Sequence, residues 1–464
     1  MKILLIRPNS SIEAAPPPLG LLYLASFLRS RSSAYEVAVL DARQMDLGGQ
    51  EITRRISAFG PDLVGITALH ADSCGLHDVA RIAKDCSERI TVVAGGPYPS
   101  GDYQRVLQDR NVDYCVVGEG ERSFLELLEA IRNKQVLTIK GVAWRDRGSI
   151  AYLGAQAPIE DLDDIPLPAW DAIDLDAYFY GAKRAVENPV QLHKEAVPIL
   201  TSRGCPFGCI YCHDIFGKRF RGRSARNIFS EIQLLVRTYG VREIEIIDDT
   251  FNFDRKRLLE FCELMIGSGS SMPICFSNGI RADLVDDELL EKLKAAGVYR
   301  INYGIETASP RMQGLIGKRL NLEYAAQMIE ETVRQGMLCG AFFMLGFPGE
   351  TEEEVLSTID FAVRSPLHTA VFSIVTPFPG SRLHHCAESA EDGVSFSTVG
   401  KISRNMSAMT DARLAQLRVQ AYRRFYFSPR RWWALFRGVV NKRALLRNGI
   451  EVVRVSFLRK ELYG

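Results

Sequence analysis

Short apolar runs alternate with longer amphipathic ones along most of the chain. In its first third, strand-length runs fall at 2–6, 36–40, 63–67, 91–94 and 114–117, with helical patterns at 19–31, 50–59, 76–88, 103–109 and 121–133. Strands separated by helices predict an α/β unit, a doubly wound parallel sheet spanning 1–148. Such a sheet binds ligands beyond the carboxyl ends of its strands. The segments expected there are Pro18-Leu19-Gly20, Thr67-Ala68-Leu69-His70, Gly95-Gly96-Pro97 and Gly118-Glu119-Gly120. Their glycines let a flat ligand approach the backbone. No G-x-G-x-x-G follows the first run, so the dinucleotide fingerprint is absent.

Acidic residues and spaced prolines around Asp161–Asp171 read as an extended connector over 149–195, anchored by Trp170. The alternation then resumes. Strands are expected at 197–200, 243–248, 274–279, 299–306, 339–345 and 371–376. Helices are expected at 225–239, 255–265, 287–296, 322–335 and 352–363. Six parallel strands make a partial (β/α)6 TIM-like barrel over 196–395, with Ser224 placed to cap the first helix. Within 299–306, alternation puts Arg300, Asn302, Gly304 and Glu306 on one face and Tyr299, Ile301, Tyr303 and Ile305 on the other. Residues 396–464 read as a small helical C-terminal region, in which Trp432 and Phe436 are i, i+4 neighbours.

Composition adds two points. Of 464 residues, 47% are hydrophobic and 24% charged, an ordinary globular balance. The first apolar run stops at Arg7-Pro8, too short for a signal peptide, and no run approaches the ~18 apolar residues of a membrane span. A cytoplasmic protein is expected. Net charge is +1, but from Tyr422 onward eleven Lys/Arg face only Glu451 and Glu461. That stretch is +9 and the rest of the chain about −8, so an anionic neighbour is expected for it: an anionic hydrophobic substrate or a peripheral membrane contact. Helical packing of the tail against the barrel is the plainer alternative. No recognition motif points to nucleic acid.

The chemistry concentrates in Cys205-Pro206-Phe207-Gly208-Cys209-Ile210-Tyr211-Cys212, directly after a strand. Three thiolates on so short a loop can converge on one metal centre and leave it one ligand short, an opening that chemistry needs and a structural site avoids. Zinc held by these cysteines and His213, in a non-enzymatic module, is the competing reading. The other cysteines (74, 86, 115, 262, 275, 339 and 386) are scattered singly and read as core thiols.

The C-x3-C-x2-C loop in this context resembles the cluster loop of the radical S-adenosylmethionine (SAM) superfamily. The segments Gly304-Ile305-Glu306-Thr307-Ala308, Gly346-Phe347-Pro348-Gly349-Glu350-Thr351 and Pro377-Phe378-Pro379-Gly380-Ser381 also resemble stretches of that superfamily. The first unit looks like the cobalamin-binding domain that precedes many such barrels, in a group similar to the anaerobic magnesium-protoporphyrin ester cyclases and the cobalamin-dependent radical SAM methyltransferases. The resemblance implies a 4Fe-4S cluster on Cys205, Cys209 and Cys212, with SAM on the fourth iron. It also implies that the reduced cluster cleaves SAM to a 5′-deoxyadenosyl radical, which takes hydrogen from an unactivated carbon. Methylation through methylcobalamin is the commonest outcome; cyclisation, rearrangement or ring contraction is the rival.

Tyr211, Asp248, Asp249, Arg281 and Glu306 are the SAM-site candidates. For cobalamin the candidates are the four segments above, at 18–20, 67–70, 95–97 and 118–120. The family's Asp-x-His-x-x-Gly ligand motif is missing, which implies cobalamin bound without a protein histidine; His70, expected on a solvent-facing loop, is the one nearby alternative. A small-molecule substrate, hydrophobic or lipid-like, and a flavodoxin- or ferredoxin-type reductant complete the expectation. The related methylthiotransferases carry a second cluster on three N-terminal cysteines. Here Cys74, Cys86 and Cys115 fall on a loop, a helix and a strand, which do not converge.

Overall fold

A computed structural model describes residues 1–10, 15–135, 138–181, 190–386, 404–438, 442–443 and 445–446. The chain forms two compact units, one of Met1–Val186 with His213–Phe216 and one of Glu187–Cys212 with Gly217–Gly464.

In the first unit, β1 (Lys2–Arg7), β2 (Glu36–Asp41), β3 (Leu63–Thr67), β4 (Thr91–Gly95) and β5 (Tyr114–Val116) are parallel, in the spatial order β2-β1-β3-β4-β5. Successive side chains leave a strand on opposite faces. Leu4, Ile6, Val64, Ile66, Val92 and Ala94 therefore join one core and Ile3, Leu5, Leu63 and Val93 the other. Helices α1 (Leu19–Arg31) and α6 (Gly120–Asn133) cover the second core, through residues such as Leu28 and Phe124. Helices α2 (Gly49–Phe59) and α3 (Ser73–Cys86) cover the first, through Ile56 and Val79. Two short helices, α4 (Pro97–Gly101) and α5 (Tyr103–Val106), stand where one was expected. The strand order reverses between β1 and β3, the kind of switch point at which open α/β sheets bind ligands.

Two expectations need correction here. An antiparallel hairpin, β6 (Val142–Asp146) and β7 (Ser149–Tyr152), extends the sheet to seven strands. Its turn residues Arg147 and Gly148 both have left-handed backbones, the geometry of a tight hairpin turn. A boundary at residue 148 falls inside that turn. The supposed connector is not extended either. Trp170 is 1% exposed. Ala169 N–H donates to Leu22 O (3.1 Å), the Tyr178 hydroxyl of α7 (Leu175–Tyr180) to Asp41 (2.6 Å), and Gln44 to Ala177 O (2.6 Å). Most of the segment belongs to the first unit; 182–189 lie outside the described residues.

The second unit contains a six-stranded parallel sheet whose spatial order follows the chain: β8 (Ala196–Ile199), β11 (Glu243–Ile246), β12 (Ile274–Ile280), β13 (Val298–Glu306), β14 (Leu338–Leu345) and β15 (Thr369–Ile374). Between β8 and β11 lie the two-residue strands β9 (Ser202–Arg203) and β10 (Arg221–Gly222). Helices α8 (Ala225–Tyr239), α9 (Arg255–Gly267), α10 (Asp287–Ala295), α11 (Pro310–Leu315), α12 (Leu322–Arg334) and α13 (Glu352–Arg364) connect the strands. Ser224 caps α8 by accepting from Asn227 N–H (3.1 Å), as expected from the sequence.

Strand β13 keeps the expected alternation except at Tyr299. Ile274 pairs with Val298 and Cys275 with Arg300, so Tyr299 is an extra residue between them. Its hydroxyl turns to Glu243 (2.5 Å) instead of joining the helix side with Tyr303, which meets Thr332 of α12 (2.8 Å).

Strand β15 is an edge, and an edge leaves backbone groups unpaired. After α14 (Arg382–Cys386), helix α15 (Asp411–Tyr426) covers it with side chains. Tyr426 Oη accepts from Ala370 N–H (3.1 Å) and donates to Ala370 O (3.0 Å); Tyr422 Oη accepts from Phe372 N–H (3.1 Å). In α16 (Pro429–Gly438), Trp432 faces inward with its indole N–H on Tyr426 O (2.6 Å), while Trp433 stacks on Phe436 (6.4 Å between centroids). Cysteines 115, 262, 275 and 339 are buried as expected, but Cys74 is exposed at the start of α3. The Cys386 side chain lies outside the described residues.

Tyr426→Phe strands the buried amide of Ala370. Chemical denaturation should show a loss of about 1–3 kcal/mol, against less than about 0.5 kcal/mol for an exposed control such as Arg437→Gln.

Candidate active site

The cysteine loop leaves β8 through a fixed neck. Strands β9 and β10 pair antiparallel and bring the two ends of the loop together. Asp248, just past β11, binds that neck by accepting from Thr201 N–H (2.6 Å), Thr201 Oγ1 (2.5 Å) and Ser202 Oγ (2.5 Å), with Arg257 3.9 Å away. Burial pushes the Asp248 carboxyl up, and Arg257 with these donors pulls it back. Buried and accepting three hydrogen bonds from the neck, Asp248 is committed to the protein itself. Where a SAM contact was expected, the structure shows it as a brace of the loop's neck.

The loop is clamped again at its middle. Ile210 N–H donates to Ile316 O (3.0 Å), Ile210 O accepts from Leu383 N–H (2.8 Å), and Arg382 bonds Gly208 O. Gly317 adopts a left-handed backbone, and a Cβ there would stand 2.6 Å from Gly208 O, so only glycine lets this approach happen. Ile210 and Tyr211 pack on Met312, Ile316, Phe347, Val375 and Leu383. The result is a short loop held at both ends and in the middle.

The thiols share one electrostatic neighbourhood. Thr250 Oγ1 donates to Cys205 Sγ (3.0 Å), and the Tyr211 hydroxyl bonds Cys209. Although Cys212 is an exposed residue, its thiol is pushed up to about 12, by desolvation first and then by Cys209 and Glu306, with Lys318 opposing. Such mutual repulsion disfavours three free thiolates and is relieved by a cationic centre. Among the described residues, no three His, Cys, Asp or Glu side chains converge on a point that one ion could occupy. A tetrahedral zinc site would hold its sulfurs about 3.8 Å apart. A cubane seats each cysteine on a different iron and needs them further apart. Three cysteine thiols on one loop are a donor set suited to a cluster with one open iron; the zinc reading on Cys205, Cys209, Cys212 and His213 has no converged ligand group among the described residues.

Glu306 ends β13 with a left-handed backbone (φ 65°), and Thr307 N–H folds back to Ile305 O (2.9 Å). A non-glycine residue held this way costs about 1–3 kcal/mol and persists only where its surroundings impose it. Its side chain is held by Lys318, with a 2.9 Å bond to Glu306 Oε1 and both side chains nearly buried. Gly304 makes room: a Cβ there would stand 2.8 Å from Lys318 Nζ. Nothing in the sequence joins Lys318 to Glu306, because the pair forms across the turn of α11.

Arg281 is already engaged. It donates to Asp283 (2.9 and 2.6 Å) and to Lys318 O (3.1 Å), and its guanidinium lies 3.7 Å over the Phe207 ring of the cysteine loop. Asp249 stands half-buried beside Thr250. Deeper along the same strands, Arg300 reaches Ser277 (3.1 Å) and Glu245 (3.4 Å), and Asn302 reaches Ser277 O (3.2 Å), a polar face opposite the helices.

In the first unit, every candidate segment lies at the carboxyl end of the sheet or at the helix start that follows. Ala68 N–H donates to Gly95 O (3.1 Å), Tyr98 N–H to Ala68 O (2.9 Å) and Gly118 N–H to Ser100 Oγ (3.0 Å). Gly96 is left-handed, and a Cβ on it would collide with Thr67 Oγ1 at 2.6 Å. Pro18 O accepts from Leu21 and Leu22 at the start of α1, with Leu19 buried and Gly20 open to solvent. Pro97 opens α4, Glu119 precedes α6 and Gly120 begins it. Leu69 is exposed. His70 is half-buried in a short turn, edge-on to Tyr98 (5.6 Å), rather than on a solvent-facing loop.

A switch-point sheet with glycine loops, and a six-stranded parallel sheet with three thiols beyond its first strand, define a cobalamin-dependent radical SAM enzyme. The comparisons agree. Residues 199–362 match the family described as the Radical SAM superfamily and residues 9–128 the B12 binding domain. The chain is 31% identical over 448 residues to an uncharacterised methyltransferase of Pyrococcus horikoshii, covering 93% of both chains. It belongs to this family of radical SAM enzymes with an N-terminal B12-binding domain. It is also 27% identical to the anaerobic magnesium-protoporphyrin IX monomethyl ester cyclase of Rubrivivax gelatinosus, over 92% of this chain and 78% of that one. The radical SAM methyltransferase TsrM of Kitasatospora setae, solved with cobalamin and a [4Fe-4S] cluster, shares the fold at a TM-score of 0.68. It is 19% identical, over 83% of this chain and 75% of that one.

Lys318→Met leaves Glu306 buried without its cation and should cost about 3–5 kcal/mol. The double variant Lys318→Met/Glu306→Gln should regain most of it. Thermal unfolding of the three proteins measures the difference.

Proposed function

We propose that this enzyme reductively cleaves SAM to a 5′-deoxyadenosyl radical, removes hydrogen from an unactivated substrate carbon and methylates it through cobalamin. The observation that carries the reading is the cysteine loop, clamped so that three thiols and the Glu306–Lys318 pair share one field. Cys205, Cys209 and Cys212 would each hold one iron of a 4Fe-4S cluster, leaving the fourth for SAM. Bound there, the cluster supplies one electron that breaks the C5′–S bond, giving methionine and the 5′-deoxyadenosyl radical; cobalamin supplies the methyl group.

The chain's own residues orient and shield. Lys318 holds one oxygen of Glu306, so the other is aimed to accept from a SAM hydroxyl or ammonium. Tyr211 anchors the loop on Phe347 and its neighbours, Arg281 fixes Phe207, and Asp249 lies just past the strand end, where a ligand's polar groups would arrive. In the first unit, the segments at 18–20, 67–70, 95–97 and 118–120 would cradle cobalamin, with His70 closing the second of them. The polar face around Arg300 and Ser277 suits a small organic substrate whose remainder is hydrophobic, and a flavodoxin- or ferredoxin-type protein supplies the electron. The domain assignment follows: cobalamin on the first unit, cluster and SAM on the second.

Likeness to the cyclase supports a second reading, radical cyclisation or rearrangement without methyl transfer. The two differ in products. Methyl transfer consumes a second SAM and yields S-adenosylhomocysteine alongside 5′-deoxyadenosine; the cyclase reading yields only 5′-deoxyadenosine.

After anaerobic reconstitution with iron, sulfide and hydroxocobalamin, addition of dithionite and SAM should give 5′-deoxyadenosine, with cobalamin retained through gel filtration. Cys209→Ala should lower it at least about a thousandfold, the scale set by loss of an essential group. Equal formation by both proteins, or none by either, overturns the reading.

A further inference from the structure

Between Asp411 and Glu451 the chain carries ten Lys/Arg and no acidic residue. Several of these cations are used within the fold. Arg413 pairs with Glu352 (2.9 Å), Arg424 with Asp360 (2.7 Å), and Arg418 donates to Phe372 O (3.0 Å). Arg431 lies 3.5 Å over the Phe425 ring and donates to Phe425 O and Ser365 O, both at 3.1 Å. Together with Trp432 and the buried Leu435, it fixes the inner face of α16.

The outer face is different. Arg430, Trp433, Phe436 and Arg437 recur at helical spacing and are all exposed, Trp433 by 62%. Lys442 sits 4.5 Å over the Phe436 ring. Among the described residues, no carboxylate pairs with Arg430, Arg437 or Lys442. Two stacked aromatic rings thus stand among cations on a helix fixed from behind. Indole and guanidinium side by side match the boundary of an anionic bilayer, where rings sit at headgroup level and cations meet phosphate.

We infer that the outer face of α16 is a membrane-docking surface for anionic lipid, which attaches this enzyme peripherally. Charge selects the occupant. Residues 447–464, the nearest rival in sequence, are themselves net basic by four Lys/Arg to two Glu, so their charge does not complement the face. The inference goes beyond the proposed reaction and does not depend on it. No helix of the described residues is long and apolar enough to cross a membrane, so attachment at the surface is what this face offers.

Co-sedimentation of the full chain with phosphatidylcholine vesicles, with and without phosphatidylglycerol, tests it. Binding should require phosphatidylglycerol, weaken in high salt and shift the tryptophan emission to the blue. Trp433→Ala/Phe436→Ala should weaken partition at least about tenfold, and Arg430→Gln/Arg437→Gln should weaken it without altering binding to neutral vesicles. Formation of 5′-deoxyadenosine by the reconstituted variants should stay at the wild-type level, which separates failure of this inference from failure of the proposed reaction. Several results would overturn the inference: no binding to anionic vesicles, binding unchanged in the variants, binding that appears only after residues 447–464 are removed, or a dimer that Trp433→Ala dissociates.

Discussion

Three thiols must be held side by side although their ionised forms repel one another. The rest of the second unit is arranged around that constraint. Asp248 and Arg257 spend their charges on the neck of the loop, Ile316 and Leu383 grip its middle through backbone hydrogen bonds, and Thr250 donates to Cys205. Each comes from a different point along the barrel chain. Holding the loop at several points removes the freedom that would let the thiols separate, at the entropic expense of ordering a Gly/Pro-rich segment. A cationic centre then supplies what the protein alone does not: a reason for three thiolates to coexist.

The same logic explains the strained backbone of Glu306. A carboxylate brought close to these thiols adds to the repulsion, as the upward push on Cys212 shows. Lys318 offsets it at 2.9 Å, and the absence of a side chain at Gly304 lets the pair form. A buried pair of this kind contributes little net stability, and losing one partner costs much. In the proposed reading its value lies in what it places: one carboxylate oxygen anchored by Lys318 and one that would accept from SAM.

Much of this was legible in the sequence, and the parts that were not share a cause. Strands 2–6 and 63–67 are apolar on both faces because helices cover both, so their runs stand out, and the cysteine loop announces itself by spacing alone. The β6–β7 hairpin was missed because its residues lie half in water and its apolar alternation is weak. The connector around Trp170 reads as extended by composition, yet it is held by side-chain and backbone bonds to Asp41, Gln44 and Leu22, distant in sequence. Tyr299 defeats the alternation through one extra residue in β13. Trp432 and Trp433 look equivalent in sequence; helix phase decides which is buried. Asp248 reads as a ligand because it follows a strand; its bonds to Thr201 and Ser202, more than forty residues away in sequence, appear only in the fold. Local pattern identifies elements, whereas pairings between distant residues need the fold.

The measurement that tests the account most directly is electron paramagnetic resonance of the anaerobically reconstituted, reduced protein before and after SAM is added. Three cysteine ligands and one open iron predict a spin-half reduced cluster whose signal changes when SAM takes the open position. A signal indifferent to SAM, or a protein that takes up zinc in place of iron, would contradict it.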